Sequence, residues 1–336
     1  MLTEDRDDPE IYRSGPPGSV RVSDPIVSAE DTAPLNIREE YWLLGQPSLS
    51  DFVSYVRKAV EGADDTATRD LVDAWRAAND VYAELEIEEA GIADEVECLD
   101  LPDEMLPLAD ELSRTEPFRR AFDKMPTTFG LVELDKVVVS QRRVTRPFVE
   151  KLAARLSPRP GPADLFRFCH PMDRQDPPVR MRRLSGQRFL FMSDSNDLRF
   201  HETAFLQPDQ IAGYERFGPV SAVLGLVVGY GSNFLSLVRS DDRMVLHNGY
   251  HRAVALRAAG FTHAPCVIQS VTRRDELELT AASAVAEDAA FYFRADRPPL
   301  LKDFFDPRIR TILRTRRAER FVEVSIEVKD YTVYHE

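Results

Sequence analysis

Val245-Leu-His-Asn-Gly-Tyr-His-Arg-Ala-Val-Ala-Leu-Arg-Ala-Ala-Gly260 reads as a strand end, a tight turn and a helix. Met244 to His247 is apolar and short, as a buried strand requires. Gly249 lets the backbone bend sharply and approach a neighbour closely. The helix runs from Arg252 to Ala259 and stops at Gly260, a favoured residue just past a helix end. Just upstream, Asn233 to Val238 is a second strand, and Ser240-Asp241-Asp242 turns it back into a hairpin. Just downstream, Ala264 to Gln269 is a third. The first amides of such a helix have no internal acceptor and lie at the positive end of its dipole, so the turn Asn248-Gly249-Tyr250-His251-Arg252 is suited to an anion. Arg252 can add a bidentate contact and His251 can donate or titrate.

Working outward, the composition changes at Met125-Pro126. Phe129 to Ser140 is β-branched and reads as a strand. Gln141-Arg142-Arg143 is a loop, and Arg146-Pro147 opens a helix carrying Phe148, Leu152 and Leu156. Pro158, Pro160 and Pro162 end it. Residues 163–217 are irregular apart from a strand at Arg188 to Met192. Val220 to Val228 is an apolar helix or strand leading to Gly229-Tyr230-Gly231. Toward the C-terminal side, the pattern predicts a helix from Asp275 to about Ala290, a break at Arg297 to Leu301 and a basic helix over Ile309 to Arg320. Val322, Val324, Ile326 and Val328 then alternate as a strand. The fold class expected is α/β (α+β) with a mixed sheet. Its divisions are a disordered tail over 1–36, an acidic helical domain over 37–125, a sheet domain over 126–272 with an insertion near 160–215, and helices plus a terminal strand over 273–336. In the helical domain, Leu71, Trp75, Ala78, Tyr82 and Leu85 form a stripe that reads as core.

The 336 residues carry a net charge of −14, unevenly spread. Residues 1–130 hold 12 Lys/Arg against 31 Asp/Glu, a net of −19, which leaves +5 for the remainder. Residues 142–188 hold 12 Lys/Arg against 4 Asp/Glu, a net of +8. Mutual attraction of the two halves is the simpler reading, and nucleic-acid binding by the basic stretch the lesser one. No apolar run approaches the ~18 residues of a membrane span. The acidic start lacks an apolar signal core. Three separated cysteines, Cys98, Cys169 and Cys266, suggest reduced thiols, so a cytoplasmic protein is expected. The histidines lack zinc spacing, and no metal ligand set is expected.

The segment Val245 to Gly260, with Ala264-Pro265-Cys-Val-Ile268 after it, resembles the ParB/sulfiredoxin superfamily. Val132-Glu-Leu-Asp-Lys-Val-Val-Val-Ser-Gln-Arg142, continuing to Phe148, Leu152 and Leu156, is similar to that family's first strand, loop and helix. The resemblance covers about residues 129–270. Sulfiredoxins place a catalytic Cys where Tyr250 stands, so it does not imply sulfinic-acid reduction. ParB proteins bind CTP through a Gly-Glu-Arg-Arg-type turn and carry a helix-turn-helix; the turn here differs and no such reader follows. The free-serine kinases of this fold have an Asp-Gly-His-Thr-Arg-like turn closer to this one, with a catalytic carboxylate near the first strand.

The resemblance implies a nucleotide- or phosphoanion-binding protein, with phosphoryl transfer or nucleotide hydrolysis as its chemistry and a nucleoside triphosphate with Mg²⁺ as cofactor. His251, Glu133 and Asp135 are the catalytic candidates. Asn248, Gly249, Tyr250, His251, Arg252, Gln141, Arg142, Gly229 and Gly231 are the binding candidates. The alternative is a non-catalytic binding or adaptor protein that uses the fold as a scaffold or ligand switch and engages a protein partner through its acidic helical domain.

Overall fold

The computed structural model describes residues 11–13 (by their backbone), 37–46, 48–172, 177–195, 197–207, 210–211 and 218–334. Most of the expected 1–36 tail thus lies outside the described residues. In chain order the strands are β1 (Ile11–Arg13), β2 (Ile37–Leu43), β3 (Cys98–Leu99), β4 (Thr127–Glu133), β5 (Val138–Val139), β6 (Arg143–Thr145), β7 (Arg180–Arg183), β8 (Arg188–Ser193), β9 (Leu198–Leu206), β10 (Val223–Tyr230), β11 (Ser236–Ser240), β12 (Arg243–Asn248), β13 (His263–Ser270), β14 (Arg310–Arg316) and β15 (Arg320–Ser325). The helices are α1 (Leu49–Ala59), α2 (Thr68–Glu88), α3 (Leu106–Ser113), α4 (Glu116–Phe122), α5 (Arg146–Ala153), α6 (Pro162–Cys169), α7 (Tyr250–Ala258), α8 (Arg274–Thr280), α9 (Ser283–Glu287) and α10 (Ala289–Arg294). The class is mixed α+β, as expected from sequence.

Contacts divide the chain into two units. The larger comprises Asp31–Asp173 and Ser232–Arg317; the smaller comprises Met1–Glu30, Arg174–Gly231 and Ala318–Glu336. The larger is built on a six-stranded mixed sheet of order β3-β4-β13-β11-β12-β5. β11 and β12 form the expected hairpin, and β13 runs parallel to β11 after the α7 connection. Alternation along the strands separates the two faces. Leu237, Met244, Leu246, Ala264, Cys266 and Ile268 pack with α5 and α7. Val267 faces the other way, into Phe118, Phe122, Phe166 and Phe234. A three-stranded sheet β14-β2-β6 and the helices α1 and α2 complete this unit.

The α2 stripe and Gly260 act as read, and a serine cap adds to them. Ser48 caps α1 by accepting the Asp51 amide at 3.1 Å. The α2 stripe is core: Leu71, Ala78, Tyr82 and Leu85 are buried. Gly260 ends α7 in the left-handed region, φ 91°, with the Phe261 amide bonded back to the Leu256 carbonyl.

Other expectations are corrected. The basic helix over Ile309 to Arg320 is instead β14, paired residue for residue with β2. Thr311, Ile312 and Thr315 are β-branched, Arg314 and Arg316 are exposed, and Arg310 lies over the Tyr41 ring. The 37–125 stretch opens with that strand rather than a helix, and it does not stand apart from the sheet. β2 joins β6 and β14, β3 joins β4, and Trp42 packs with Phe52, Val56 and Ile309. The helix expected over 275–290 is three short ones, interrupted at Ala281-Ala282 and at Asp288. Residues 163–217 contain α6, β7, β8 and β9 rather than one strand. Val220 to Val228 resolves as the strand β10.

Ion pairs of Arg143 with Glu40 and of Arg146 with Glu39 cross the charge asymmetry, while Arg180 with Glu319 and Arg188 with Glu323 pair within the C-terminal part of the chain. The most buried pairing is Arg297, whose side chain is 1% exposed. Its two Nη atoms bond Asp303 at 2.6 Å each, and Nη2 also reaches Glu89 at the end of α2. Tyr82 adds a hydroxyl to Asp303 and its ring to the Arg297 guanidinium. Burial pushes the Asp303 carboxyl up, against the pull of Arg297. Burial also opposes the charge on Glu89, yet hydrogen bonds from Lys302 and Arg297 hold that carboxyl below its ordinary range.

Asp303→Asn leaves Arg297 short of its buried counter-charge and is expected to cost about 3–5 kcal/mol in urea unfolding. The double variant Arg297→Met/Asp303→Leu is expected to recover a large part of that loss, because it removes the desolvation cost together with the pair. Equal losses in the two variants would contradict this account.

Candidate functional site

The turn before α7 has the geometry read from sequence, with its groups engaged internally. Gly249 caps the helix at φ 91° and ψ 21°. A Cβ there would meet Leu235 Cδ1 at 2.7 Å and its Cα at 3.1 Å, so glycine is required by conformation and by space. Asn248 folds over the turn: its Oδ1 accepts the Gly249 amide at 2.7 Å, and its Nδ2 donates to the Ser232 carbonyl.

Arg252 points into the protein and is only 7% exposed. Its Nη1 donates to the Asn233 carbonyl at 2.6 Å and to the Cys169 carbonyl at 3.2 Å. Nη2 donates to Asn233 Oδ1. The same Cys169 carbonyl accepts the Leu235 amide, so the guanidinium joins the end of α6 to the chain entering β11. A guanidinium has five donors in a rigid fork, and three of its directions are used on protein oxygens.

Tyr250 and His251 meet the loop over residues 140–145. The Tyr250 hydroxyl donates to the Leu246 carbonyl and lies 2.8 Å from Ser140 Oγ, while the Ser140 amide donates to it. Burial pushes this phenol up. His251 Nε2 accepts the Thr145 amide at 3.0 Å, and Phe148 packs edge-on to the ring at 5.1 Å. Burial, then the nearby Arg252 charge, lowers His251 to about 4. The ring is therefore neutral at pH 7, with Nε2 spent as an acceptor.

The other candidates are not gathered at the turn. Asp135 pairs with Arg257, in the last turn of α7, which lies about 10 Å along the helix from Tyr250. Glu133 pairs with Lys136 at 3.3 Å, accepts the Glu97 amide, and stands opposite His263 in the β4–β13 ladder. Both carboxylates thus serve the far end of the helix. Gln141 Nε2 donates to the Arg143 carbonyl, and the Arg142 carbonyl accepts the Leu43 amide. Gly229 lies in β10 beside His201, and Gly231 lies beside Arg199; both belong to the smaller unit. The residues that complete the turn, Asn233, Ser140, Thr145 and Cys169, were not among the expected ones.

Next to Arg252, His170 is buried among Phe129, Phe166 and Phe234, and neither ring nitrogen has a hydrogen-bond partner. Burial and the Arg252 charge lower it to about 3, while the nearby Pro265 carbonyl favours its proton. Burial also pushes the Cys169 thiol up to about 12 and the Cys266 thiol well above its ordinary range, so neither is a reactive thiolate. Among the described residues, no group of three or more His, Cys, Asp or Glu is placed to hold a metal ion, and no helix is long and apolar enough to cross a membrane. An apolar crevice of about 170 Å³ is lined by Val238, Val245, His247, Ala281 and Val285. Val245 and Val285 belong to the core cluster on the sheet face opposite α7. No protein-family model, curated protein or solved structure matches this chain.

His170 and His251 link folding to pH. Both are held neutral when folded and titrate near 6.5 when unfolded. Their contribution is present in full above about pH 6.5 and is lost as pH falls from there toward 4, because the unfolded chain binds the protons first. The urea midpoint is expected to drop between pH 7 and 5.5, and His170→Phe combined with His251→Gln is expected to flatten that drop. An unchanged slope in the double variant would refute the assignment.

Proposed function

We propose that this protein is a non-catalytic binding or adaptor protein that uses a ParB/sulfiredoxin-like domain as its scaffold. The observation that carries this reading is the internal use of Arg252 by Asn233 and Cys169. A phosphate-holding arginine needs its fork open toward the ligand. Phosphoryl transfer needs, in addition, a carboxylate positioned at the reacting group. The two carboxylates read as catalytic are engaged by Arg257 and Lys136 instead.

The partner we infer is a basic protein segment, met by the exposed side of α2. Asp70, Asp73, Asp80, Glu84, Glu86 and Glu88 are exposed there, against Arg69 and Arg76. Arg69 is taken up by Asp73. The rival reading, a nucleoside triphosphate with Mg²⁺ at the start of α7, draws on Gly249 and on the positive end of the helix dipole.

A thermal-shift series with ATP, ADP, CTP and GTP, each with Mg²⁺, is expected to leave the melting temperature unchanged. A Lys/Arg-rich peptide is expected to bind with an affinity that falls as salt rises, and to lose binding to Asp80→Lys/Glu84→Lys/Glu88→Lys. A selective nucleotide shift accompanied by product release would instead establish the rival.

A further inference from the structure

The Arg252 junction lies where the chain leaves the larger unit and returns to it. Residues 174–231 belong to the smaller unit, so Cys169 and His170 come just before that excursion and Ser232 and Asn233 just after it. The two ends are tied at one place. The Leu235 amide donates to the Cys169 carbonyl at 3.0 Å, and Arg252 Nη1 joins that carbonyl to the carbonyl of Asn233. The Asn248 side chain holds the Ser232 carbonyl beside them.

His170 adjoins this tie, and its placement is unusual for a histidine. The residue is 1% exposed, yet neither ring nitrogen has a hydrogen-bond partner. Buried polar groups are normally bonded, and an exception calls for a reason. Each element around the ring can be named. Its own helix α6 presents Phe166 at 4.7 Å, β4 presents Phe129 edge-on at 5.9 Å, and the chain entering β11 presents Phe234 at 6.3 Å. From α7 comes the Arg252 charge, and from β13 the Pro265 carbonyl. The neighbouring Cys169 and Cys266 thiols are buried and hold their protons. Among the described residues, no carboxylate acts on the ring.

A neutral imidazole fills this cage as any aromatic ring would. A charged one carries two N–H donors, has one carbonyl in reach and stands beside a fixed cation. His170 is the C-cap of the eight-residue α6, its amide bonded to the Phe166 carbonyl. The ring therefore leaves with the last turn of α6, and the Cys169 carbonyl leaves with it. His251 follows a different path. Although it precedes Arg252 in sequence, its ring turns to the Thr145 amide and Phe148.

We propose that His170 is a proton-operated latch: one proton expels its ring from the aromatic cage, parts the Cys169 carbonyl from Leu235 and Arg252, and opens the junction while the six-stranded sheet stays folded. Loss of the proton closes it again. The open form frees both ends of the 174–231 excursion from each other and uncovers the Phe129, Phe166 and Phe234 rings. Because the open form binds the proton first, opening grows about tenfold for each pH unit below about 6.5, until the caged ring itself titrates. This proposal is independent of the binding reading above.

The test is hydrogen exchange of the full chain between pH 7 and 5, with each rate corrected for the intrinsic pH dependence of exchange. The opening constant of the Leu235 amide is expected to rise about tenfold per pH unit, a slope of one proton, while the amides of the β4–β13 ladder keep their protection. His170→Phe, which fills the cage without a titratable nitrogen, is expected to abolish the rise, and His251→Gln to preserve it. A flat profile in the unaltered chain overturns the proposal, as does a rise that persists in His170→Phe or disappears in His251→Gln. A rise shared equally by the β4–β13 ladder also overturns it, since that marks unfolding of the whole unit.

Discussion

The buried Arg252 guanidinium is the constraint on which the centre of the larger unit depends. It is a cation at a junction where α6 ends, β11 begins and α7 starts, and it bonds main-chain oxygens of Cys169 in α6 and of Asn233, just before β11. Backbone carbonyls left unpaired in a protein interior cost free energy comparable to a lost hydrogen bond, and an unpaired charge costs more. Here each solves the other. Burial depresses the two neighbouring imidazoles, and the fixed Arg252 charge within that dry cluster depresses them further. The chemistry of the turn, with a neutral His251 accepting a main-chain amide, follows from burial first and from the position of Arg252 second.

That dependence explains what could be read in the chain and what could not. The strand–turn–helix unit was legible because its signals are local: a short apolar run before Asn248, a glycine in the left-handed region at the turn, and a second, Gly260, at the helix end. The direction of Arg252 was not legible, because its acceptors are mostly carbonyl oxygens, which every residue has and no residue type advertises. Asn233, a polar residue entering an apolar strand, was the one side chain with a readable signal. Ser140 and Thr145 act partly through their amides, which no residue type advertises.

The errors in secondary structure share a different cause. Arg310 to Arg316 carries five charged or polar residues beside two apolar ones, a pattern that suits a helix face and a half-exposed strand alike. Pairing with β2, more than 260 positions away, decided it. The same long-range pairing draws the acidic stretch onto the sheet, since β2 cannot be a strand without β6 and β14. Four of the basic residues that suggested a nucleic-acid surface, Arg143, Arg146, Arg180 and Arg188, are engaged by Glu40, Glu39, Glu319 and Glu323.

An anion at the start of α7 would therefore have to compete with the fold itself. The first amides of α7 are a modest attraction, screened by salt and confined to one turn. Turning Arg252 outward to join them would strand the Asn233 side-chain oxygen and main-chain carbonyl, leave the Cys169 carbonyl with the Leu235 amide alone, and set His170, whose ring nitrogens lack a hydrogen-bond partner, beside an emptied space. Each stranded polar group costs about 1–3 kcal/mol, so the loss exceeds what one helix start returns. The same glycine turn that makes an anion site elsewhere here serves to bring Leu235 close enough for the guanidinium to close the junction.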